Sequence, residues 1–196
     1  MTSQLYVSGL AARELQATSD LVPPGIAKIM RANRMSDSLN GFGLSAKETG
    51  CGKTSAFAVR FRNSFRTMIQ AEGDDFENYL LWVSWPDQVN WIRRNATSPS
   101  LNDQISDMCR AQALFLDDLG SERISKSYVE DFAASHLDTI VNTRYRKFLP
   151  IFYTTNLDTA GLTNIYGAHL VSRLVGANPL FCVDGLSDMR ISHVNG

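Results

Sequence analysis

Short apolar runs alternate along the chain with longer stretches in which apolar residues recur at helical spacing. From residue 39 onward, five such runs predict β-strands at 41–46, 79–85, 112–117, 150–155 and 179–184. The clearest predicted helix covers 124–146, where apolar residues lie three or four positions apart: Tyr128, Val129, Phe132, Ala133, Leu137, Ile140 and Val141. Continuous apolar strands separated by helices indicate an α/β fold with a five-stranded parallel sheet and helices on both faces.

The first 38 residues do not follow that alternation and predict a short helical extension. The stretch "LAARELQA" favours a short helix, "DLVPPG" ends it, and "GIAKIMRANR" favours a second helix. One face of the second helix is apolar and the other is basic, formed by Ile26, Ile29 and Met30 and by Lys28, Arg31 and Arg34. The apolar face predicts docking on the core, and the basic face leaves open a contact with DNA or a partner. We therefore expect an extension over 1–38 and a core over 39–196.

Composition and charge narrow the class of protein. The chain has 196 residues, 44% of them hydrophobic and 20% charged, which is typical of one globular domain. A net charge of −1 excludes a globally basic nucleic-acid binder, so any such contact must come from a local patch. The three cysteines are far apart in the sequence, which indicates a reduced cytoplasmic protein. No apolar stretch reaches the ~20 residues that span a bilayer, and the N-terminus does not resemble a signal peptide. We therefore expect no membrane contact.

The stretch "AKETGCGKTSAFA" at 46–58 contains most of a phosphate-binding loop. A strand precedes it and a helix follows it, so backbone N–H groups of the turn can surround phosphate oxygens. Lys47 stands where the pattern has its first glycine, a position that opens the loop and lies far from the phosphates. The sequence predicts that ATP or ADP binds through Thr49, Gly50, Cys51, Gly52, Lys53, Thr54 and Ser55.

A second half of such a site follows in "ALFLDDLGSER". An apolar strand ends there in Asp117 and Asp118, at the edge of a parallel sheet where ligands gather. Asp117 with the Thr54 hydroxyl is predicted to bind Mg²⁺, and Asp118 to orient the attacking water. An acidic pair before Leu-Gly can also cap a helix or close a turn. Because this acidic pair follows an upstream "GKT", the nucleotide-site interpretation is favoured over a cap or a turn.

The motifs "LFLDDLGSER", "TRYRKFLPIFYTTNL", "GAHLVSRL" and "SDMR" together resemble the AAA+ core of DnaC/DnaI-type bacterial helicase loaders and their IstB-like relatives. The resemblance covers roughly residues 40–191 and is greatest for short phage- or plasmid-type members, some of which have a similarly altered loop. It implies a P-loop NTPase fold without a C-terminal lid domain, and ATP hydrolysis. It also implies that Asn156 senses the γ-phosphate, that Arg173 reaches a neighbouring subunit's nucleotide, and that Arg190 serves its own subunit's site. Capping by Asn156 and a surface ion pair of Arg173 are the structural alternatives.

The same resemblance implies a replicative DNA helicase, single-stranded DNA and further copies of the chain as partners. Loaders usually grip the helicase with an N-terminal domain, and only about 38 residues precede the core here. For DNA, the stretch around 86–110 combines Trp91 with Arg93 and Arg94, a stacking surface with two cations. The alternative is an amphipathic helix in which Val89 and either Trp91 or Ile92 are buried and the two arginines are solvated.

Three other functions stay open at this stage. An IstB-like transposition helper shares the core but serves a transposase on duplex DNA. A nucleotide-binding interaction module with negligible turnover differs only in its catalytic rate. A small-molecule kinase fits less well, because no arginine-rich lid segment follows and Asn156 and the "SRL" motif are left without a role.

Overall fold

A computed structural model describes residues 7–8, 16–19, 22–33, 41–72, 80–122, 128–183 and 185. Within them, seven helices and six strands are formed. The strands are β1 (Val7–Ser8), β2 (Gly43–Ser45), β3 (Leu80–Ser84), β4 (Ala113–Leu119), β5 (Ile151–Thr155) and β6 (Leu180–Cys182). The helices are α1 (Pro24–Ala32), α2 (Lys53–Glu72), α3 (Trp85–Asn95), α4 (Pro99–Arg110), α5 (Tyr128–Arg146), α6 (Thr159–Tyr166) and α7 (Ala168–Ala177). None of the helices in these ranges is both long and apolar enough to cross a membrane.

The strands form one parallel sheet in the order β1-β3-β4-β5-β2-β6. All five predicted strands are confirmed, and β1 is an additional edge strand that pairs with β3. It lies in the segment for which the sequence predicts only helices. The first of those helices falls outside the described residues for most of its length, and the second is α1.

The central strands are apolar on both faces because each face is covered by helices. In β4, Leu114 and Leu116 join a core cluster with α3, α4, α5 and α7, whereas Ala113 and Phe115 join a second cluster with α1 and α2. Side chains alternate between the faces of a strand, so neighbouring residues enter different cores. This double coverage explains why the strands read as unbroken apolar runs. The predicted inward face of α5 is confirmed over 132–141, where Ala133, Leu137, Ile140 and Val141 are buried.

The apolar face of α1 docks on the second cluster, as its pattern predicts. Ile26 is fully buried there, and Ile29 and Met30 pack against the cluster, while Lys28 and Arg31 are exposed.

The guanidinium of Arg60, on α2, ties the end of α1 to the sheet. It lies 4.9 Å from the ring centroid of Phe152 and donates to the carbonyl oxygens of Met30 and Asn33, 3.4 and 2.6 Å away. Burial lowers the pKa of Arg60 to about 10, so the side chain stays charged at neutral pH.

One irregularity bears directly on the predicted site. Between β4 and β5, Leu116 pairs with Tyr153 but Leu119 pairs with Thr155, so β4 carries one extra residue over this stretch. The bulge contains Asp117 and Asp118, and Asp118 has a left-handed backbone with φ 57°. Bulges of this kind re-aim side chains at the edges of sheets, and this one lies where the acidic pair was predicted to act.

Candidate functional site

The loop between β2 and α2 has the backbone that a phosphate-binding turn requires. Gly50 and Gly52 have φ of 73° and 89°, in the region that only glycine adopts without strain. The turn ends at Lys53, the first residue of α2, so the N-terminus of a long helix points at the loop. Thr49 is exposed, Ser55 is half-buried, and Lys47 is exposed at the start of the loop. Cys51 is buried inside the turn and belongs to the core cluster beneath it.

Lys53 is the buried cation of this loop, with 6% of its surface exposed. Its ammonium donates to Asn156 Oδ1 at 2.9 Å and to the backbone oxygens of Glu48 and Ala46 at 3.3 and 3.4 Å, with Cys51 Sγ at 3.5 Å. These hydrogen-bond partners are all neutral. The helix N-terminus and the ammonium both favour an anion at this loop.

The acidic strand end faces the same loop. Thr54 Oγ1 donates to Asp117 Oδ1 at 3.0 Å, which places the hydroxyl and the carboxylate of the predicted metal pair in direct contact. Asp117 is 9% exposed, whereas the side chain of Asp118 is exposed. One carboxylate and one hydroxyl, with open positions left for water and phosphate oxygens, is the donor set that Mg²⁺ takes in nucleotide sites. The pair therefore fits this ion, which would neutralise phosphate charge when bound.

Thr154, on β5, organises the acidic pair and was not assigned from the sequence. Its hydroxyl donates to Asp117 Oδ1 at 2.6 Å and accepts the backbone N–H of Asp118 at 2.8 Å. The residue is fully buried. One hydroxyl therefore holds both the carboxylate and the left-handed backbone of the bulge. The only sequence signal was a hydroxyl residue inside an apolar strand.

Glu122 is a second residue that motif reasoning missed, although it stands in the quoted "LGSER". It accepts hydrogen bonds from Trp85 Nε1 at 3.1 Å, from the backbone N–H of Gly120 at 3.0 Å and from the hydroxyl of Tyr166. Burial, and the negative charge of Glu122, raise the pKa of Tyr166 above its ordinary value, so this hydroxyl remains a donor. The carboxylate thereby joins the loop after β4 to the start of α3 and the end of α6.

The other predicted site residues are not part of this cluster. Arg173, on α7, donates to Asn142 Oδ1 on α5, and its Nη1 atom lies 3.5 Å from His169 Nδ1. His169 in turn lies 3.8 Å from a carboxylate oxygen of Asp138. These partners belong to α5 and α7, so the described contacts of Arg173 do not involve the phosphate loop of its own chain. Arg190 lies outside the described residues.

The predicted DNA residues lie on α3. Trp91 is half-buried and packs against the larger core cluster. Arg93 is half-buried and donates to Asn90 Oδ1 at 3.2 Å, and Arg94 is exposed. The helix buries Val89 and Ile92, as the amphipathic alternative expected. Its two arginines lie near the helix C-terminus, where cations also stabilise the helix dipole.

The sheet order and the loop geometry are those of the AAA+ type of P-loop fold. Comparison with solved structures agrees. A structure of the DnaC helicase loader matches with a TM-score of 0.65 and 20% identity over 88% of this chain and 99% of that one. A structure of DnaI matches with a TM-score of 0.63 and 18% identity over 89% and 93% of the two chains.

A structure of the replication initiator DnaA bound to AMPPCP and single-stranded DNA matches with a TM-score of 0.61 and 18% identity, over 81% of this chain and 44% of that one. No family model matches the sequence. No curated protein sequence matches it either. The likeness is therefore one of fold, and it confirms the DnaC-like AAA+ core that the motifs resemble.

Proposed function

We propose that this chain is an ATP-dependent AAA+ ATPase of the helicase-loader type, which acts in DNA replication, assembles with ATP and contacts single-stranded DNA. The observation that carries the nucleotide part is the convergence of Lys53, Thr54, Asp117 and Asn156 at one edge of the sheet through hydrogen bonds of 2.9–3.0 Å. Three segments that are far apart in sequence meet there, because Lys53 bonds Asn156 and the adjacent Thr54 bonds Asp117. A glycine-rich turn that arose by chance would not be expected to lie beside both Asp117 and Asn156.

We propose a role in nucleotide binding or hydrolysis for each side chain in these contacts. Phosphate oxygens are stronger acceptors than the neutral groups that now hold Lys53, so the ammonium can exchange those bonds for the β- and γ-phosphates. Thr54 and Asp117 are the residues that would hold Mg²⁺. In hydrolysis a water oxygen attacks the γ-phosphorus, the bond to the bridging oxygen breaks, and the carboxylate of Asp118 accepts the water's proton. We infer that Asn156, which accepts a hydrogen bond from Lys53, senses the γ-phosphate.

The assembly part rests on Arg173, whose described contacts are with α5 and α7 and do not include the loop of its own chain. Phosphoryl transfer is catalysed mainly by positioning and charge stabilisation, so an arginine supplied by a neighbour makes hydrolysis depend on contact between subunits. Arg190 is proposed to serve its own subunit's nucleotide. The replication part rests on the fold shared with DnaC and DnaI, and a replicative helicase is the proposed partner.

The decisive experiment measures Mg·ATP binding and turnover per chain as the protein concentration rises, with and without single-stranded or duplex oligonucleotides. We expect binding by isolated chains, turnover that rises with concentration, and a preference for the single strand. ATP binding with no turnover under any of these conditions would instead indicate an interaction module. A preference for duplex would favour a transposition helper.

A further inference from the structure

The turn between α5 and β5 exposes two aromatic side chains. Tyr145 is 47% exposed and Phe148 is 89% exposed, and among the described residues they are the only large hydrophobic side chains so exposed. Both belong to the sequence "YRKF" at 145–148, where the intervening Arg146 and Lys147 are exposed as well. Other large apolar side chains whose burial the structure describes are buried or half-buried, so this cluster is an exception that the core does not explain.

The turn is held in a fixed shape. Phe148 has a left-handed backbone with φ 55°, and the backbone N–H groups of Phe148 and Leu149 donate to Tyr145 O and Arg144 O at 3.3 and 3.0 Å. Beneath it, the fully buried Arg144 donates to the carbonyl oxygens of Met108, Ala111 and Pro150 at 2.7–2.8 Å. Glycine or asparagine adopts this backbone with less strain than phenylalanine. The hydrogen-bonded turn therefore holds the Phe148 ring in solvent. Its backbone conformation would suit glycine or asparagine better than an aromatic residue.

The charge around these rings is positive. The stretch 142–150 contains no acidic residue, and no ion pair involves Arg146 or Lys147 within the described part of the chain. The nearby Arg110, by contrast, is paired with Asp107 at 3.3 Å. Arg146 and Lys147 thus place two exposed positive charges between two exposed rings and form a local basic patch on a chain whose net charge is −1.

We propose that the turn 145–148 binds single-stranded nucleic acid, by stacking of bases on Phe148 and Tyr145 and contacts of Arg146 and Lys147 with the flanking phosphates. Any base presents a face for stacking, and only an unpaired strand leaves that face open. The inference rests on the proposed function in taking a single strand as ligand, and it adds a site on a different element from α3. A protein surface would need acidic groups around an apolar pocket to fit the same turn, and the test below separates the two.

The test uses the full chain and fluorescence anisotropy with labelled oligothymidylate and oligouridylate, with Mg·ATP and without nucleotide. Phe148→Asn removes the ring and keeps a residue that tolerates the left-handed backbone. Arg146→Gln with Lys147→Gln removes both charges and keeps side-chain length. Arg110→Gln removes a surface cation outside the turn and is the matched control.

We expect Phe148→Asn to weaken binding about tenfold without changing the salt dependence, because stacking is insensitive to ions. The double variant should weaken binding and reduce the slope of log affinity against log salt by roughly 1.4, about 0.7 for each lost phosphate contact. Arg110→Gln should change neither. The two oligonucleotides distinguish DNA from RNA as the source of the strand.

Equal binding by wild type and Phe148→Asn would overturn the proposal. The absence of oligonucleotide binding by wild type at low salt would also overturn it, and would indicate that the turn contacts a protein partner. Mg·ATP binding is measured on every variant. Loss of oligonucleotide binding with Mg·ATP binding intact supports the turn, whereas a wild type that binds the strand but not Mg·ATP would defeat the proposed ATPase and not this site.

Discussion

The phosphate loop with its acidic partner differs in its surroundings from the residues assigned to assembly and DNA, although both groups were predicted from short motifs. At the start of α2, Lys53 bonds Asn156 and the adjacent Thr54 bonds Asp117, so three segments of the chain meet at the phosphate loop. Arg173 is instead bonded to α5, and Arg94 is exposed on α3. The first group is complete within one chain. The proposed roles of the second group require another molecule, either a neighbouring subunit or a nucleic-acid strand.

This difference follows from where each group lies in the fold. Residues at the ends of parallel strands converge because the sheet brings those ends to one edge. Residues on the outer faces of helices are not brought together in this way. Their contacts within a single chain therefore do not reveal a function that requires an assembly.

Loss of Arg173 should abolish nearly all turnover while leaving nucleotide binding intact. An arginine acting in trans contributes about 10³-fold or more to the rate of phosphoryl transfer. Arg173→Ala chains keep their own Asp118, and Asp118→Asn chains keep their own Arg173. Mixing the two inactive variants should therefore restore part of the activity at mixed interfaces, measured as phosphate release.

Asn142→Ala is the matched control, because it removes the intrachain partner of Arg173 and leaves the arginine in place. It should preserve turnover. If Arg173→Ala lowered thermal stability but not turnover, the residue would have only the structural role of bonding α5. A monomer whose rate per chain does not change with concentration would also refute assembly-dependent hydrolysis.

The next largest effect concerns affinity. Lys53→Ala should weaken Mg·ATP binding about 10- to 100-fold, because hydrogen bonds to charged groups contribute about 1.5–3 kcal/mol. Lys47→Gly should leave the affinity within severalfold, since Lys47 is exposed at the entrance of the loop. Isothermal titration of each variant with ATP and Mg²⁺ measures both. Binding that appears only after Lys47→Gly would mean that the natural loop is inactive.

Much of this arrangement was predictable, and the reasons are physical. Buried strands need continuous apolar runs, so β2 to β6 were recognised, and the glycines at 50 and 52 follow from the left-handed backbone of the turn. The strand β1 was missed because two residues, "VS", form no run. Lys53 and Asp117 could be paired in advance because strand topology alone brings them together.

The support around them was not predictable, because it depends on register between strands. Thr154 contacts Asp117 and Asp118 only because a bulge shifts β4 against β5, and Glu122 meets Tyr166 only after α6 has packed. The exposure of Phe148 was not predictable for a different reason. Hydrophobicity predicts burial, and nothing in a single sequence says that this ring points into solvent.

Thr154→Val should have a moderate effect on the acidic pair. The substitution is nearly isosteric, but it removes a donor to Asp117 and leaves the backbone N–H of Asp118 without its partner. A buried unsatisfied group costs about 1–3 kcal/mol, so we expect that loss of stability in urea and a higher Mg²⁺ requirement for turnover. Thr154→Ser keeps the hydroxyl and should retain the wild-type Mg²⁺ dependence. An unchanged Mg²⁺ titration for Thr154→Val would show that Asp117 is positioned without it.

The smallest expected effect concerns α3. Replacing Arg93 and Arg94 together with glutamine should weaken single-strand binding a few-fold and flatten its salt dependence, while ATP binding is unchanged. Stacking on Trp91 contributes little, because that ring packs against the core. Binding should be stronger with ATP, since subunits lined up along one strand add their weak contacts.

Anisotropy with a labelled oligonucleotide, run with ATP, with ADP and without nucleotide, decides between α3 and the other basic surfaces. Equal affinity of the double variant and wild type at low salt would exclude α3. The strand would then lie on the turn 145–148 or on the exposed basic face of α1, where Lys28 and Arg31 are the next residues to replace. An effect of the α3 variant that adds to that of Phe148→Asn would mean that one strand spans both elements, because independent contacts on one ligand contribute additively.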